Sequence, residues 1–595
     1  MKLSDYVIKY LADQGTRHVF LITGGAVMNL VDSFRKFDNI NYICVQNEQA
    51  AAMAAEAYTR ISGHLGGAMA TSGPGATNLI TGICCAYFDS IPAIYITGQV
   101  NTFESKGDRA VRQVGFQETD IVSIVEPVTK FAALINDPQK IKYYLDKAYY
   151  LARSGRPGPV LLDIPMNVQR AEINPDELES FIPEERKINL KNIENQIEII
   201  FDLIKKSKRP LILAGAGVRH AGAQKEFKEF IEKIKLPFTL SWGALDLMAF
   251  NHPLYADSFG VSASRAGNFA VQNSDLLIII GSRLDTRQTG GRPDTFARGA
   301  KKVYIDIDIA EIYKKRGLNP DLAVIADAKD FLTLINNKLN NFEKPDFTAW
   351  INQVQNWKKK YPNCPPEYAG NKDQVNIYYF MKVLSEESKA DDIIITDAGG
   401  NLTWTMQGFN VKAGQRLFSA FGHSPMGYSL PAAIGASLAA DKKPVTCIIG
   451  DGGIQINIQE LQTIAHYKLP IKIFVVNNNA YGIIKQFQDI WLESRYEATC
   501  PEKGCSFPDF VKVGQAYGLK TEIIDKPASL REKIRAVLDS GPAVLCDVKI
   551  PCGQKIIPKL EYGKPIEDAS PLLDRQEFSE NMIVNPWEPS GNSFN

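Results

Sequence analysis

One pattern constrains this chain more than any other. Short β-branched, apolar runs recur along most of its length, at Ala93–Thr97, Val160–Ile164, Leu211–Ala214, Leu276–Ile280, Val303–Ile307, Ile393–Thr396, Val445–Ile449, Ile471–Val476 and Ala543–Val548, with helical patterns between them. Such alternation predicts an α/β protein of parallel sheets with helices on both faces. With 595 residues the chain is too long for one hydrophobic core. Two composition shifts divide it: the charged stretch 174–195, and the polar stretch 340–374 carrying Pro345, Pro362, Pro365 and Pro366. They predict three doubly wound parallel-sheet domains at about 1–175, 195–340 and 370–550, followed by a Pro- and charge-rich tail over 551–595.

Composition excludes several classes. Lys plus Arg (67) equals Asp plus Glu (67), so no basic excess favours nucleic acid and no basic block favours a membrane surface. No apolar run approaches the roughly 20 residues of a membrane helix, and Met1-Lys2-Leu3-Ser4-Asp5-Tyr6 lacks the pattern of a signal peptide. Nine cysteines, an odd number, read as reduced thiols of a cytoplasmic protein. Cys500 and Cys505 lack a second pair at zinc-like spacing.

The strongest local signal is Gly450-Asp451-Gly452-Gly453, which ends the strand Val445–Ile449. A helix pattern follows, with Ile454, Ile458, Leu461 and Ala465 on one face, and then the strand Ile471–Val476 ending in Asn477-Asn478-Asn479. This βαβ unit puts a Gly-rich turn at a carboxyl strand end, where open α/β sheets bind ligands. Amides at a helix start cradle phosphate oxygens. Magnesium is held by carboxylates together with phosphate oxygens. Asp451 offers a carboxylate, Asn478 a side-chain carbonyl from the neighbouring strand end, and Ala480 a backbone carbonyl. A lone Gly-Asp-Gly is an ordinary turn; in this context the arrangement resembles the thiamine diphosphate signature.

The first domain extends the likeness. Ala70-Thr71-Ser72-Gly73-Pro74-Gly75-Ala76-Thr77-Asn78-Leu79, Asp89-Ser90-Ile91-Pro92, Ile96-Thr97-Gly98-Gln99-Val100, Phe116-Gln117-Glu118-Thr119 and Gly155-Arg156-Pro157-Gly158-Pro159-Val160 appear in order. With Met426-Gly427-Tyr428-Ser429-Leu430-Pro431 they resemble the acetohydroxyacid (acetolactate) synthase catalytic subunit, from about residue 4 to 550. The resemblance implies that Glu48, at the start of an Ala-rich helix, is the carboxylate that activates the cofactor. Gly24 and Gly25 then form the backbone edge near the reacting carbon, and Gln117 lines the substrate side. Met426 props the bent cofactor. Asp397, Gly399, Gly400, Asn401, Ser424, Gly450, Gly452, Gly453, Tyr481 and Gly482 fall on the cofactor's side of the third domain. The resemblance also implies a homodimer or a dimer of dimers, with sites between subunits.

In the middle domain, Gly215-Ala216-Gly217 and Gly281-Ser282-Arg283-Leu284-Asp285 are similar to that family's flavin-binding segments, which implies FAD against Arg156, Gly217, Gly281, Arg283, Asp285, Asp306 and Asp327. Ser262-Ala263 and Arg265 depart from the pattern, and ADP or an empty domain are the alternatives.

The expected donor is pyruvate. Ala26, Val27, Phe116, Met426, Ile483 and Ile484 are the expected apolar wall that keeps water from the reacting carbon. Arg287 matches the family arginine that holds the acceptor's carboxylate. Phe487 stands where the family has tryptophan and Met166 where it has lysine, and His423 beside the Met426 motif is a candidate for touching substrate. The tail resembles that of relatives that acetylate keto-sugar nucleotides, and is read as a lid or an interface arm. Acetolactate formation is therefore weighed against acetyl transfer to a keto-sugar nucleotide, against a lyase or decarboxylase, and against a non-catalytic subunit, which retention of Glu48, Asp451 and Asn478 opposes.

Overall fold

The computed structural model describes residues 1–184, 189–371 and 373–587. Part of the charged stretch read as a boundary (185–188), one residue of the second (372) and the end of the tail (588–595) lie outside the described residues.

Among the described residues, seventeen strands form three sheets. The first holds β1 (His18–Leu21), β2 (Asn41–Cys44), β3 (Gly66–Ala70), β4 (Ala93–Gln99), β5 (Phe131–Leu134) and β6 (Pro159–Pro165), in the order β2-β1-β3-β4-β6-β5. The second holds β7 (Pro210–Ala214), β8 (Phe238–Leu240), β9 (Leu276–Ile280), β10 (Lys301–Asp306) and β11 (Leu322–Ile325), ordered β11-β10-β9-β7-β8. The third holds β12 (Ile393–Thr396), β13 (Arg416–Phe418), β14 (Val445–Gly450), β15 (Ile471–Asn477), β16 (Lys520–Ile524) and β17 (Val544–Lys549), ordered β13-β12-β14-β15-β17-β16. Every pairing within them is parallel. Central strands such as β4, β14 and β15 are buried along their whole length, as expected where helices cover both faces.

The first and third domains meet through small residues. Helix Glu48–Ser62 lies on helix Ser429–Ala439, and a Cβ at Gly435 would fall 2.0 Å from the Ala54 carbonyl oxygen, so only glycine permits this approach. A buried polar cluster fixes the same interface. Arg60 pairs with Glu56 and with Asp89, Tyr428 donates to Glu56, and the Phe421 and Gly422 amides donate to Asp89 at 2.8 and 2.7 Å.

Two sequence expectations change. The helix expected across Ile454, Ile458, Leu461 and Ala465 is two, Asp451–Ile454 and Glu460–Tyr467. In the break between them, Asn457 donates to the Gly427 carbonyl at 2.9 Å and Ile456 packs at the Gly427 turn. The tail runs back over its own chain. Lys559 and Ser570 exchange backbone bonds, the Leu560 amide donates to Val261, and Asn268 donates to the Ile566 carbonyl. Arg298 and Gln272 hold Glu567, and Trp357 donates to Asn581. On the other side Ile556 and Pro558 bind Gln486 and Gln407 of the third domain, so the tail straps the second domain to the third. Arg265, out of pattern in sequence, donates to the tail carbonyls of Ala569 and Pro571.

Candidate active site

β14 and β15 are neighbours in register, Gly450 opposite Val476, so the turn after one strand meets the loop after the other. Asp451 sits there with 3% of its surface exposed. One carboxylate oxygen accepts from the Gly452 amide at 2.8 Å; the other is buried without a partner. Burial pushes its pKa up to about 7, against the pull of nearby backbone amides at Gly452, Asn479, Ala480 and Asn478. The Asn478 amide nitrogen and the Asn401 side-chain oxygen are also buried and unpartnered. An unmatched carboxylate oxygen beside an asparagine amide, whose oxygen and nitrogen exchange by a flip, fits a hard cation with oxygen ligands. The Ala480 carbonyl accepts from the Gly482 amide at 2.9 Å and keeps one lone pair.

Glycines hold this turn open. A Cβ at Gly452 would lie 2.2 Å from Tyr481, at Gly482 2.5 Å from Asn478, and at Gly450 2.5 Å from Asn401. Asp397, at the end of β12, is buried and accepts from the Gly427 amide at 3.0 Å and the Ser429 amide at 3.2 Å. It thereby fixes the loop carrying Ser424 and Met426, and burial pushes its own pKa up to about 6. Gly399 has a φ of 83° and starts helix Gly400–Gly408, with Asn401 in its first turn. Ser424 is itself left-handed, with a φ of 53°.

In the first domain Glu48 opens helix Glu48–Ser62, whose cap is Asn47 accepting from the Gln49 amide. Glu48 is buried, accepts from the Asn78 amide at 3.0 Å and lies beside Gly75. Thr71 fixes the Gly24–Gly25 edge: a Cβ at Gly24 would be 2.5 Å from it, and it accepts from the Ala26 amide at 3.2 Å. A Cβ at Gly25 would meet nothing within 4 Å, so this edge faces open space. Gln117 takes a φ of 60° against Gly73. Among the described residues no hydrogen bond or ion pair joins the Glu48 group to the Asp451 group. Of the expected apolar wall, Ala26 and Val27 are buried, whereas Phe116 is 85% exposed and Ile484 45% exposed.

A cavity of about 760 Å³ opens between the domains, within the usual size of a ligand pocket. All the residues expected to hold a flavin line it: Arg156, Gly217, Gly281, Arg283, Asp285, Asp306 and Asp327. Gly217 and Gly281 cross so closely that a Cβ on Gly217 would lie 2.7 Å from the Gly281 Cα. Arg156 pairs with Asp308 and Glu311, while Asp285 and Asp327 cap the helices that follow them. Asp306 accepts from the Asp308 amide at 2.9 Å, and burial raises its pKa. Sequence reasoning missed Trp242, Arg219, Asp246 and His220, which also line the cavity. Trp242 and Asp246 come from a segment that bears no motif, and Arg219 and His220 follow Gly215-Ala216-Gly217 on a short helix whose facing only the fold shows. Burial, with Arg60 and other arginines nearby, pushes His220 down to about 4 and keeps it neutral at pH 7.

Arg287 reaches the cavity rim with its guanidinium 5.8 Å from the centre of the Trp242 ring. His423 is exposed and stacks on Phe88 at 5.7 Å, between the cavity and the Met426 loop. Phe487 stacks on Trp491 at 4.8 Å.

A Gly-Asp-Gly turn over an unmatched carboxylate, in a chain whose first domain carries a buried glutamate, is the arrangement of an enzyme that binds a diphosphate cofactor. Residues 1–124 match the thiamine pyrophosphate enzyme N-terminal TPP-binding domain, 197–335 the central domain and 397–548 the C-terminal TPP-binding domain, which makes the chain a thiamine diphosphate enzyme. It is 35% identical to the acetolactate synthase large subunit of Cyanidium caldarium over 94% of each chain. It is 33% identical to that of Lactococcus lactis over 94% of each. Against the isozyme 2 large subunit of Escherichia coli the identity is 32%, over 95% of this chain and 98% of the relative. The chain belongs to the acetolactate synthase large-subunit family.

Proposed function

We propose that this carboligase takes pyruvate as donor and a carbonyl compound as acceptor, with thiamine diphosphate held through Mg²⁺ by Asp451, Asn478 and the Ala480 carbonyl. The observation that carries this reading is the buried Asp451 oxygen without a partner, in a turn that three glycines keep clear. In the overall change, the bond from the donor's carbonyl carbon to its carboxylate breaks and CO₂ leaves. The electron pair left behind forms a new bond to the acceptor's carbonyl carbon, whose oxygen takes up a proton. The cofactor, when bound, supplies the carbon at which that electron pair is held.

The chain's own groups do the rest. Glu48 would hold a proton toward the aminopyrimidine ring of a bound cofactor, and Asn78 holds the carboxylate in one orientation. Asp397 fixes the Gly427 turn, and so the position of Met426. Arg287 offers its guanidinium fork to the acceptor's carboxylate. The 760 Å³ cavity, with a crossing of glycine backbones where a dinucleotide would approach closely, supports FAD as its occupant.

We also propose a homo-oligomer whose sites form between chains. The first domain leaves Phe103 (74%) and Phe116 (85%) exposed beside the Gln117 edge, and the third leaves Trp491 (56%) and Leu492 (45%) exposed beyond Tyr481. Apolar groups this exposed, next to two half-sites that no bond connects, support pairing across a subunit interface. All nine cysteines are free, which supports a reducing, cytoplasmic compartment. Among the described residues no helix is long and apolar enough to cross a membrane.

The test is to incubate the protein with thiamine diphosphate, Mg²⁺, FAD and ¹³C-pyruvate and to follow products by NMR. Acetolactate with one CO₂ per turnover supports acetolactate synthesis. Ligation only when a keto-sugar nucleotide is added moves the acceptor to that class. Acetaldehyde as sole product overturns the carboligase reading in favour of a lyase.

A further inference from the structure

The tail brings a lysine to the acceptor side of the site. Lys559 is pinned at both backbone groups, its amide donating to Ser570 at 3.0 Å and its carbonyl accepting from Ser570 at 2.8 Å. The neighbouring tail residues are equally fixed: the Ile556 amide donates to Gln486, the Ile557 amide to Tyr378, and the Pro558 carbonyl accepts from Gln407. This path leaves Lys559 only 6% exposed, with its ammonium 3.4 Å from the centre of the Phe487 ring. The ammonium is buried and none of its three N–H donors has a partner. Arg287, on the second domain, is close enough for its charge to act on Lys559, and it too has no carboxylate partner among the described residues.

Two cations, Lys559 on the face of Phe487 and Arg287 on the face of Trp242, therefore lie near each other, and among the described residues neither is paired with an anion. A ring face compensates an ammonium far less than burial disfavours it. Lys559 is nonetheless held mostly protonated at pH 7, since burial and Arg287 lower its pKa only to about 8. Buried, charged and unpaired, the group calls for an anionic ligand, and the residues around it are those assigned to the acceptor.

We infer that Lys559 is a specificity-determining residue which, with Arg287, clamps an acceptor ketone bearing two negative charges. The inference rests on the carboligase reading and narrows its acceptor. A dicarboxylic 2-keto acid and a ketone attached to a diphosphate share this chemistry.

The test compares acceptors with ¹³C-pyruvate as donor: 2-oxobutyrate with one charge, 2-oxoglutarate with two, and a keto-sugar nucleotide whose diphosphate carries the charge. The expected result is a higher kcat/KM for at least one doubly charged acceptor than for 2-oxobutyrate. Lys559→Met, which keeps the packing on Phe487, lowers that preference by about tenfold or more, mainly through KM. Lys559→Arg restores most of it. The responding acceptor identifies the source of the charge. A preference for 2-oxobutyrate, or a ratio in Lys559→Met within about twofold of the wild type, overturns the inference. Release of CO₂ from pyruvate with no ligation to any acceptor overturns the carboligase reading instead.

Discussion

Replacing Asp451 by asparagine separates what the residue costs the fold from what it does for the cofactor. The carboxyl is raised from 3.8 to about 7 by burial, and it is nearly fully buried. Between those values the folded chain holds a proton that the unfolded chain has lost, so stability falls as pH rises through this window. Integrated over the window, the cost is about 4 kcal/mol at pH 8 and about 1.7 kcal/mol at pH 5. The asparagine side chain keeps an oxygen for the Gly452 amide and carries no charge. The Asp451→Asn apoprotein is therefore expected to unfold at a higher temperature than the wild type. The gain is roughly 3 °C at pH 8 for a chain of this length, and less than half of that at pH 5. The same variant loses the stabilisation that Mg²⁺ with thiamine diphosphate gives the wild type, because a neutral amide does not hold the cation. Thermal unfolding followed by tryptophan fluorescence, at both pH values and with or without the ligands, reads both effects. An apo variant less stable than the wild type at pH 8, or one that still gains stability from Mg²⁺ and cofactor, would refute the assignment of Asp451 as a buried cation ligand.

Glu48→Gln is expected to retain cofactor binding while proton exchange at the thiazolium carbon slows about 10²–10⁴-fold; exchange at the wild-type rate, read by NMR, removes Glu48 from its role. Gly217→Ala forces a methyl to 2.7 Å from the Gly281 Cα and is expected to yield protein lacking the yellow flavin absorbance; a full complement of FAD in the variant would place the flavin elsewhere. Glu56→Ala leaves the buried Arg60 with Asp89 alone and should cost about 3–5 kcal/mol, seen as a lower urea midpoint. An unchanged midpoint means that this cluster does not hold the first domain to the third.

The nine strands expected from sequence are all present, because each is a run of β-branched residues in a sheet covered on both faces. The strands that were missed carry other compositions. β3 reads Gly-Gly-Ala-Met-Ala, with nothing to mark a strand, yet it is wholly buried in the first sheet. Its small residues answer to a neighbour far away in sequence: a Cβ at Gly66 would fall 1.9 Å from the Ala55 carbonyl on helix Glu48–Ser62. β5, β13 and β16 are sheet-edge strands, short or partly exposed, and lack the continuous apolar run of a central strand. At the site, Asp451 and Asn478 were legible because one βαβ unit carries both. Lys559 was not, since its partners Phe487 and Arg287 lie in two other domains and only the strap of the tail unites them.

The groups that the fold leaves dissatisfied point to the chemistry more sharply than the groups it satisfies. Glu56 and Tyr428 are at least as deeply buried as Asp451, and the side chains of Arg60 and Asp89 nearly so, but each has its partner, and together they join two domains. Asp163 is another such acid, pushed up to about 7 by burial but held by Thr97 at 2.7 Å and Gln99 at 2.9 Å. Asp451, Asn478, Asn401 and Lys559 instead keep buried polar atoms unmatched. Such atoms destabilise the chain unless something outside it completes them. Asp451 and Lys559 fall on opposite sides of the proposed reaction, a carboxylate where a cation would join the diphosphate and an ammonium where the acceptor would enter. A sequence selected for stability alone would replace both with neutral residues, and the Asp451→Asn and Lys559→Met variants test what the chain gains by keeping them.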